Sequence, residues 1–321
     1  MTTTGAAAGA LTCGIDIGGT KIAGAVVDAD GTVVAEARVT SPATDPSAIE
    51  TAVAGLVAQL TADHPVEAVG VGAAGYIASD RSTVLFAPNI AWRNEPLGAD
   101  LARLIGLPVV VENDGNVAAW GEFRHGAGRD HDDQLMVTVG TGVGGGVIAS
   151  GRLLRGAHGV AGEIGHLRLV PNGRLCGCGN HGCLEQYGSG TALVRDARAA
   201  VAAGEAGSAA LLERAGGDVE KIDGPLITTA AHDGDAFAVA ALAALGDALG
   251  QGVASLAAVL DPGVVVVGGG VSDAGDLLLG PLREAFEREL TGRGVRPEAE
   301  IRPAAMGNRA GMVGAADLAR N

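Results

Sequence analysis

The same short pattern is written twice in this chain, and the repetition limits its fold more than any other feature. An apolar run over 11–17 passes through Asp16-Ile17-Gly18-Gly19-Thr20-Lys21 and returns as a second apolar run over 22–27. Further along, a run over 135–139 ends in Gly140-Thr141-Gly142 and returns over 144–149. Laid over one another at one constant offset, Asp16 meets Thr138, Gly18 meets Gly140 and Gly24 meets Gly146. Apolar runs joined by glycine-rich turns read as β-hairpins. An internal duplication of a β-meander is the simplest account.

A third strand over 32–39 completes the first meander. Apolar spacing then predicts helices over 49–60 and 97–105, strands over 66–71 and 109–112, and a helix that opens after Asp114 and runs to Phe123. The second copy is interrupted by a cysteine-rich loop and a mostly helical stretch over 192–260. It resumes with a buried strand over 264–267, Gly268-Gly269-Gly270, and a helix expected to be capped by Ser272 or Asp273. Meanders followed by strand–helix–strand units make mixed sheets. The expectation is two similar α/β domains facing across a cleft.

A length of 321 residues accommodates two such domains. The net charge of −15 is spread along the chain, which disfavours a general nucleic-acid or anionic-membrane surface. Any phosphate must then be held by local backbone, cations or metal. Residues 1–9 lack a basic segment and read as a frayed tail, not a signal peptide, so a cytoplasmic location is expected. The most apolar long stretch, 236–260, is alanine-rich and interrupted by Asp247 and Gln251, which favours a buried helix over a bilayer span.

The loop that interrupts the second copy carries a compact ligand set. Cys176, Cys178 and Cys183 fall within eight residues, His166 stands ten residues before the first of them, and Glu163 and Glu185 bracket the group. Three cysteines cannot all pair as disulfides, and a chain this poor in cysteine has no need of staples. Thiols and an imidazole at this spacing match a tetrahedral Cys3His zinc site. Four protein ligands leave no open position for a reactive water, so the metal is expected to brace the loop. The second nitrogen of His166 then remains available to a substrate hydroxyl.

The glycine turns suit phosphate. Asp16, Gly18, Gly19, Thr20 and Lys21 offer a carboxylate for the metal side, converging backbone N–H groups, a hydroxyl and an ammonium. The spacing is not that of a Walker A loop. Thr141 and Gly142 supply the counterpart turn; either turn alone reads equally as a plain hairpin. Gly268, Gly269 and Gly270 after a buried strand either admit an adenosine or simply connect strand to helix. Asp114, following Asn113 at a strand end, is a candidate to contact a hydroxyl nucleophile, with helix N-capping as its plain alternative. At a helix start its charged form should be favoured.

The Gly162-Glu163-Ile164-Gly165-His166 and Cys176-Gly177-Cys178-Gly179…Gly182-Cys183-Leu184-Glu185 patterns, with the two turns, resemble the ROK family (repressors, open reading frames and sugar kinases). That family is a branch of the actin-like ATPase and hexokinase superfamily. The likeness runs from about Leu11 to the end, and Glu185-Gln186-Tyr187-Gly188-Ser189-Gly190 looks most like its bacterial glucokinases. The resemblance implies two actin-like/hexokinase-like (RNase H-like) domains, one formed by 1–118 plus about 306–321 and the other by 119–305 with the zinc loop. The last helix, about 310–320, would cross back onto the first domain.

It implies ATP-dependent phosphorylation of glucose at the 6-hydroxyl, with Asp114 as general base and domain closure on sugar binding. Asn89, Asn113, Glu163, His166 and Glu185 would hold sugar hydroxyls. Asp16 to Lys21 and Thr141-Gly142 would take the phosphates, Gly268 to Gly270 the adenosine, and His166, Cys176, Cys178 and Cys183 structural zinc. Mg2+ would accompany the nucleotide near Asp16, and a homodimer or higher homo-oligomer is implied. Kinases for N-acetylmannosamine, N-acetylglucosamine, fructose or mannose share these groups, and polyphosphate is an alternative donor. A ROK repressor needs a helix-turn-helix ahead of this body, and only fifteen residues precede Asp16. A non-catalytic sugar sensor would be expected to lack the first turn or Asp114, and both are here.

Overall fold

The computed structural model describes residues 11–87 and 90–320. The tail over 1–9 and Asn89 lie outside the described residues. The first meander is β1 (Thr12–Ile17), β2 (Lys21–Val27) and β3 (Val33–Thr40), antiparallel throughout. Helix α1 (Pro46–Thr61) starts three residues before the first expected apolar position. Asp45 accepts the Ala48 N–H at 3.2 Å and Pro46 sits where its missing N–H costs nothing.

Strand β4 (Val69–Ala73) returns parallel to β1. A small antiparallel sheet follows, β5 (Tyr76–Ile77), β6 (Val84–Phe86) and β7 (Arg93–Glu95), whose strands are too short to leave a periodic signature. Helix α2 (Leu97–Ile105) leads to β8 (Val109–Asn113), parallel to β4, and to α3 (Asp114–His125). The first sheet therefore runs β3-β2-β1-β4-β8.

The second sheet repeats this order position by position. Strands β9 (Gln134–Val139), β10 (Val143–Ala149) and β11 (Arg152–Leu153) form its meander, and β12 (Val264–Gly268) and β13 (Glu300–Pro303) its parallel arm. The order β11-β10-β9-β12-β13 is the topology that the offset between the two hairpins foretells. Between the arms lie α4 (Glu185–Gly188), α5 (Gly190–Ala202), α6 (Ala209–Arg214), α7 (Gly224–His232) and α8 (Ala236–Leu260), with α9 (Asp276–Glu289) before β13 and α10 (Ala310–Leu318) last. Neither Ser272 nor Asp273 caps α9. A 3-10 turn over Gly270–Ala274 intervenes, closed by the Ser272 hydroxyl donating to Gly269 O at 2.6 Å.

Packing divides the chain into two compact units. One gathers residues up to Met136, Gly145–Gly162 and residues from Ala304 onward; the other comprises Val137–Gly144 and Glu163–Pro303. In the first unit, α1 and α2 cover one face of the first sheet through Ile15, Ile22, Leu56, Leu97 and Leu101, all buried. Helix α10 covers the other face at backbone contact. A β-carbon on Gly14 or Gly70 would lie 1.8 Å from the carbonyl oxygens of Met312 or Ala315, and one on Gly314 would lie 1.8 Å from Val117 O. Gly14→Ala is therefore expected to cost roughly 3 kcal/mol, because main chain and not a flexible side chain must move. Denaturant unfolding of the variant checks this.

The connection into α10 is held by a buried carboxylate. Glu122 accepts the N–H groups of Ala127, Ala305 and Met306 at 2.8, 3.1 and 2.8 Å. In the second unit α8, long and apolar enough to span a bilayer by composition, packs along α9. Its Gly246 and Gly250 let the backbones approach; a β-carbon at Gly250 would sit 2.3 Å from Leu282 O. Such contacts fit the expected core helix.

Candidate functional site

In the first unit, β1 delivers Asp16 to the strand end beside the first turn. Gly18 N–H donates to Lys21 O at 3.0 Å, which closes the turn and leaves Gly19, Thr20 and Lys21 exposed. Burial pushes the Asp16 carboxyl up to about 6; the neighbouring Asp114 charge adds to the rise and Lys21 opposes it. Asp16 and Asp114 are thus close enough to feel each other.

The two readings of Asp114 separate here. Asn113 is the helix cap: its Oδ1 accepts Asn116 N–H at 3.0 Å and its Nδ2 donates to Gly75 O at 3.1 Å. Asp114 is the first helical residue, with one oxygen on Gly115 N–H at 2.9 Å and the carboxylate open to solvent. The other Asn113 Nδ2 hydrogen serves the Asp114 carboxylate, and Oδ1 keeps one lone pair for a ligand. The helix start was expected to hold Asp114 in its charged form; instead, surrounding protein raises its carboxyl above the usual range, against the pull of the Gly115 N–H. Since the group keeps solvent access, this rise concerns proton transfer and not folding stability.

What fixes Asp114 is a side chain that sequence reading passed over. Glu112, 1% exposed, accepts Asn113 N–H at 3.0 Å and Asn116 Nδ2 at 3.1 Å, so it holds the first turn of α3. Its second oxygen pairs with Arg155 at 2.6 Å and faces Arg81 at 3.6 Å. Arg155 also donates to Ala78 O at 2.9 Å. A carboxylate inside an apolar strand signals a buried partner, but not which one.

In the second unit, Gly140 N–H donates to Gly142 O at 3.0 Å, closing a turn one residue tighter than the Gly18 N–H to Lys21 O closure of the first. The turn is fastened to α5: Gly190 N–H donates to Gly140 O at 2.8 Å and the Thr191 hydroxyl to Thr141 O at 2.7 Å. Beside it opens a cavity of about 930 Å³, with Thr141, Leu193, Pro225, Thr228, Gly270 and Val271 among its walls. Of the three glycines that end and follow β12, Gly270 lines the cavity. Gly268 is buried in the strand. Gly269 adopts φ of 91° with Val139 O too close for any β-carbon. The walls from α5 and α7 escaped sequence reading, since nothing in their spacing marks a ligand.

The cysteine loop folds as the spacing implies. The ligand atoms of His166, Cys176, Cys178 and Cys183 all lie within 4.8 Å of one another. Cys178 and Cys183 sulfurs are 3.7 Å apart, and Cys176 Sγ is 3.7 Å from His166 Nδ1. Tetrahedral zinc, with bonds of about 2.3 Å to sulfur and 2.0 Å to nitrogen, separates such pairs by about 3.8 and 3.6 Å. The donor set fits that metal. The other ring nitrogen, Nε2, lies 3.9 Å from Glu163 Oε2. Glu185 accepts Val143 N–H at 3.2 Å, directly after the second turn.

A meander-plus-parallel sheet built twice, each copy with a glycine turn between its first two strands, is the hexokinase-like α/β fold. The chain belongs to the ROK family, whose profile matches residues 12–321. A glucokinase of Streptomyces coelicolor is 50% identical over 310 residues, covering 97% of this chain and 98% of that protein. The crystal structure of a ROK family glucokinase from Streptomyces griseus in complex with glucose and AMPPNP is 52% identical. It superposes with a TM-score of 0.88 over 97% of this chain and 99% of that one. A ROK hexokinase from Thermus thermophilus is 35% identical, with a TM-score of 0.80 over 96% and 97% of the two chains.

Proposed function

We infer that this chain transfers the γ-phosphoryl group of ATP to the 6-hydroxyl of glucose. The observation that carries the reading is the full-length likeness to the Streptomyces griseus glucokinase, solved with glucose and AMPPNP. In this reading Asp114 accepts the proton of the 6-hydroxyl, a role its solvent access and raised carboxyl support. Asn113, Glu163, His166 and Glu185 hold the remaining hydroxyls, together with Asn89. Thr141 and Gly142 cradle phosphate while the 930 Å³ cavity takes the adenosine against Gly270. Gly18 to Lys21 bind phosphate oxygens from the first turn.

Zinc held by His166, Cys176, Cys178 and Cys183 would brace the loop, and through Nδ1 it would leave Nε2 of His166 for Glu163 and a sugar hydroxyl. Magnesium bound with the nucleotide would offset phosphate charge, with Asp16 as its proposed carboxylate.

The test is ADP release with magnesium near neutral pH, comparing glucose, mannose, fructose, N-acetylglucosamine and N-acetylmannosamine. The highest kcat/KM is expected for glucose; an N-acetyl sugar in first place would replace the substrate, and no turnover at all would refute the kinase reading. Asp16 adds a pH signature. Its carboxyl is raised, so the charged form is lost as pH falls through about 6, where an ordinary aspartate would hold to about 4. At limiting magnesium, kcat/KM for ATP is expected to decline below about pH 6. Raising free magnesium should move that limb to lower pH.

A further inference from the structure

Glu185 stands at a junction. Its backbone opens α4 directly after the cysteine loop, where Cys183 belongs to the metal-ligand set and Leu184 N–H donates to Leu167 O at 2.8 Å. Its carboxylate reaches instead to the glycine turn, where Oε2 accepts Val143 N–H at 3.2 Å. The contact is tight enough to dictate the neighbouring residue. A β-carbon on Gly142 would lie 2.3 Å from Oε2, and the three nearest atoms it would meet beyond its chain neighbours all belong to the Glu185 side chain. The adjacent residue repeats the theme: Gln186 accepts from Arg195, on the cavity wall, through Oε1 at 3.1 Å and its carbonyl oxygen at 2.7 Å.

We propose that the Glu185 carboxylate ties the sugar subsite to the second phosphate turn, so that glucose and nucleotide bind cooperatively through the Gly142–Glu185 contact. The proposal rests on the glucokinase reading for its two ligands and adds to it a positioning role. A hydroxyl donating to Glu185 fixes the carboxylate, and the fixed carboxylate holds Val143 N–H and the turn in one geometry. Linkage then requires the converse: a turn ordered by phosphate presents Glu185 to the sugar, with the same factor in both directions. One carboxylate with about four acceptor positions can serve both donors at once.

Gly142→Ala tests this from the nucleotide side. The added methyl displaces only the flexible end of Glu185, and Gly142 has no left-handed backbone that alanine would strain. Glucose affinity of the full chain is measured by calorimetry with no nucleotide present, then nucleotide affinity with AMPPNP, with and without saturating glucose. Wild type is expected to bind AMPPNP about fivefold tighter with glucose. Gly142→Ala should weaken glucose binding about tenfold in the absence of nucleotide and bring the coupling factor close to one. Glu185→Gln, which keeps an oxygen for Val143 N–H, should retain coupling at reduced glucose affinity. A Gly142→Ala protein, folded by circular dichroism, with unchanged glucose affinity or undiminished coupling overturns the proposal. Absence of glucose binding in the wild type would instead refute the glucokinase reading.

Discussion

Asp114→Asn is expected to lower kcat roughly a thousandfold, within the range a positioned general base supplies, while glucose affinity measured by calorimetry stays close to wild type. The substitution is conservative in place. Asparagine keeps the oxygen that accepts Gly115 N–H, and the capping of α3 belongs to Asn113, so the helix start should survive. What is lost is the proton acceptor and a negative charge. That charge is one of the causes raising the Asp16 carboxyl, so the acid limb of the remaining activity should also move to lower pH. Loss of turnover with no movement of that limb would leave Asp114 a base but break its electrostatic link to Asp16. Turnover near wild type would remove the catalytic assignment outright, since charge stabilisation by the phosphate turns would then suffice.

The parts of this protein that sequence exposed are those set by short spacing. A glycine turn between two apolar runs closes locally, so Gly18 N–H to Lys21 O and Gly140 N–H to Gly142 O were implicit in the pattern and its repetition. The cysteines converge for the same reason: glycines such as Gly179 and Gly182, at φ of 90° and 78°, permit the sharp reversals that bring sulfur to sulfur. What stayed hidden depends on partners far apart in the chain. Glu112 needs Arg81 and Arg155, supplied by different loops, and no periodicity links them. Gly14 and Gly314 read as weak points of a strand and a helix until backbone is found pressed against both. The cap of α3 was misplaced by one residue because Asn113 and Asp114 are both good caps, and only the fold decides which turns its side chain inward.

Cys178→Ser should empty the proposed zinc site without opening a hole in the core. Of the four ligand residues it alone is exposed, whereas Cys176 and Cys183 are buried, so serine there loses a thiolate and little packing. Metal content by elemental analysis is expected to fall from one zinc per chain to near none after dialysis, because the hydroxyl is a poor ligand for a metal that favours thiolate and imidazole. The consequence should appear first at the sugar. His166 would then have no metal on Nδ1 to fix its ring, and Nε2, which lies 3.9 Å from Glu163 Oε2, would lose its fixed orientation. Glucose affinity is expected to drop roughly tenfold, about 1.4 kcal/mol, comparable to one hydrogen bond. Glu185 lies on the same loop exit and its carboxylate accepts Val143 N–H directly after the Gly140–Gly142 turn, so AMPPNP affinity should fall too, by less, and only when glucose is present. Equal losses for both ligands would mean that the loop supports the whole unit and not the sugar subsite. Full zinc occupancy in the variant would contradict the ligand set itself.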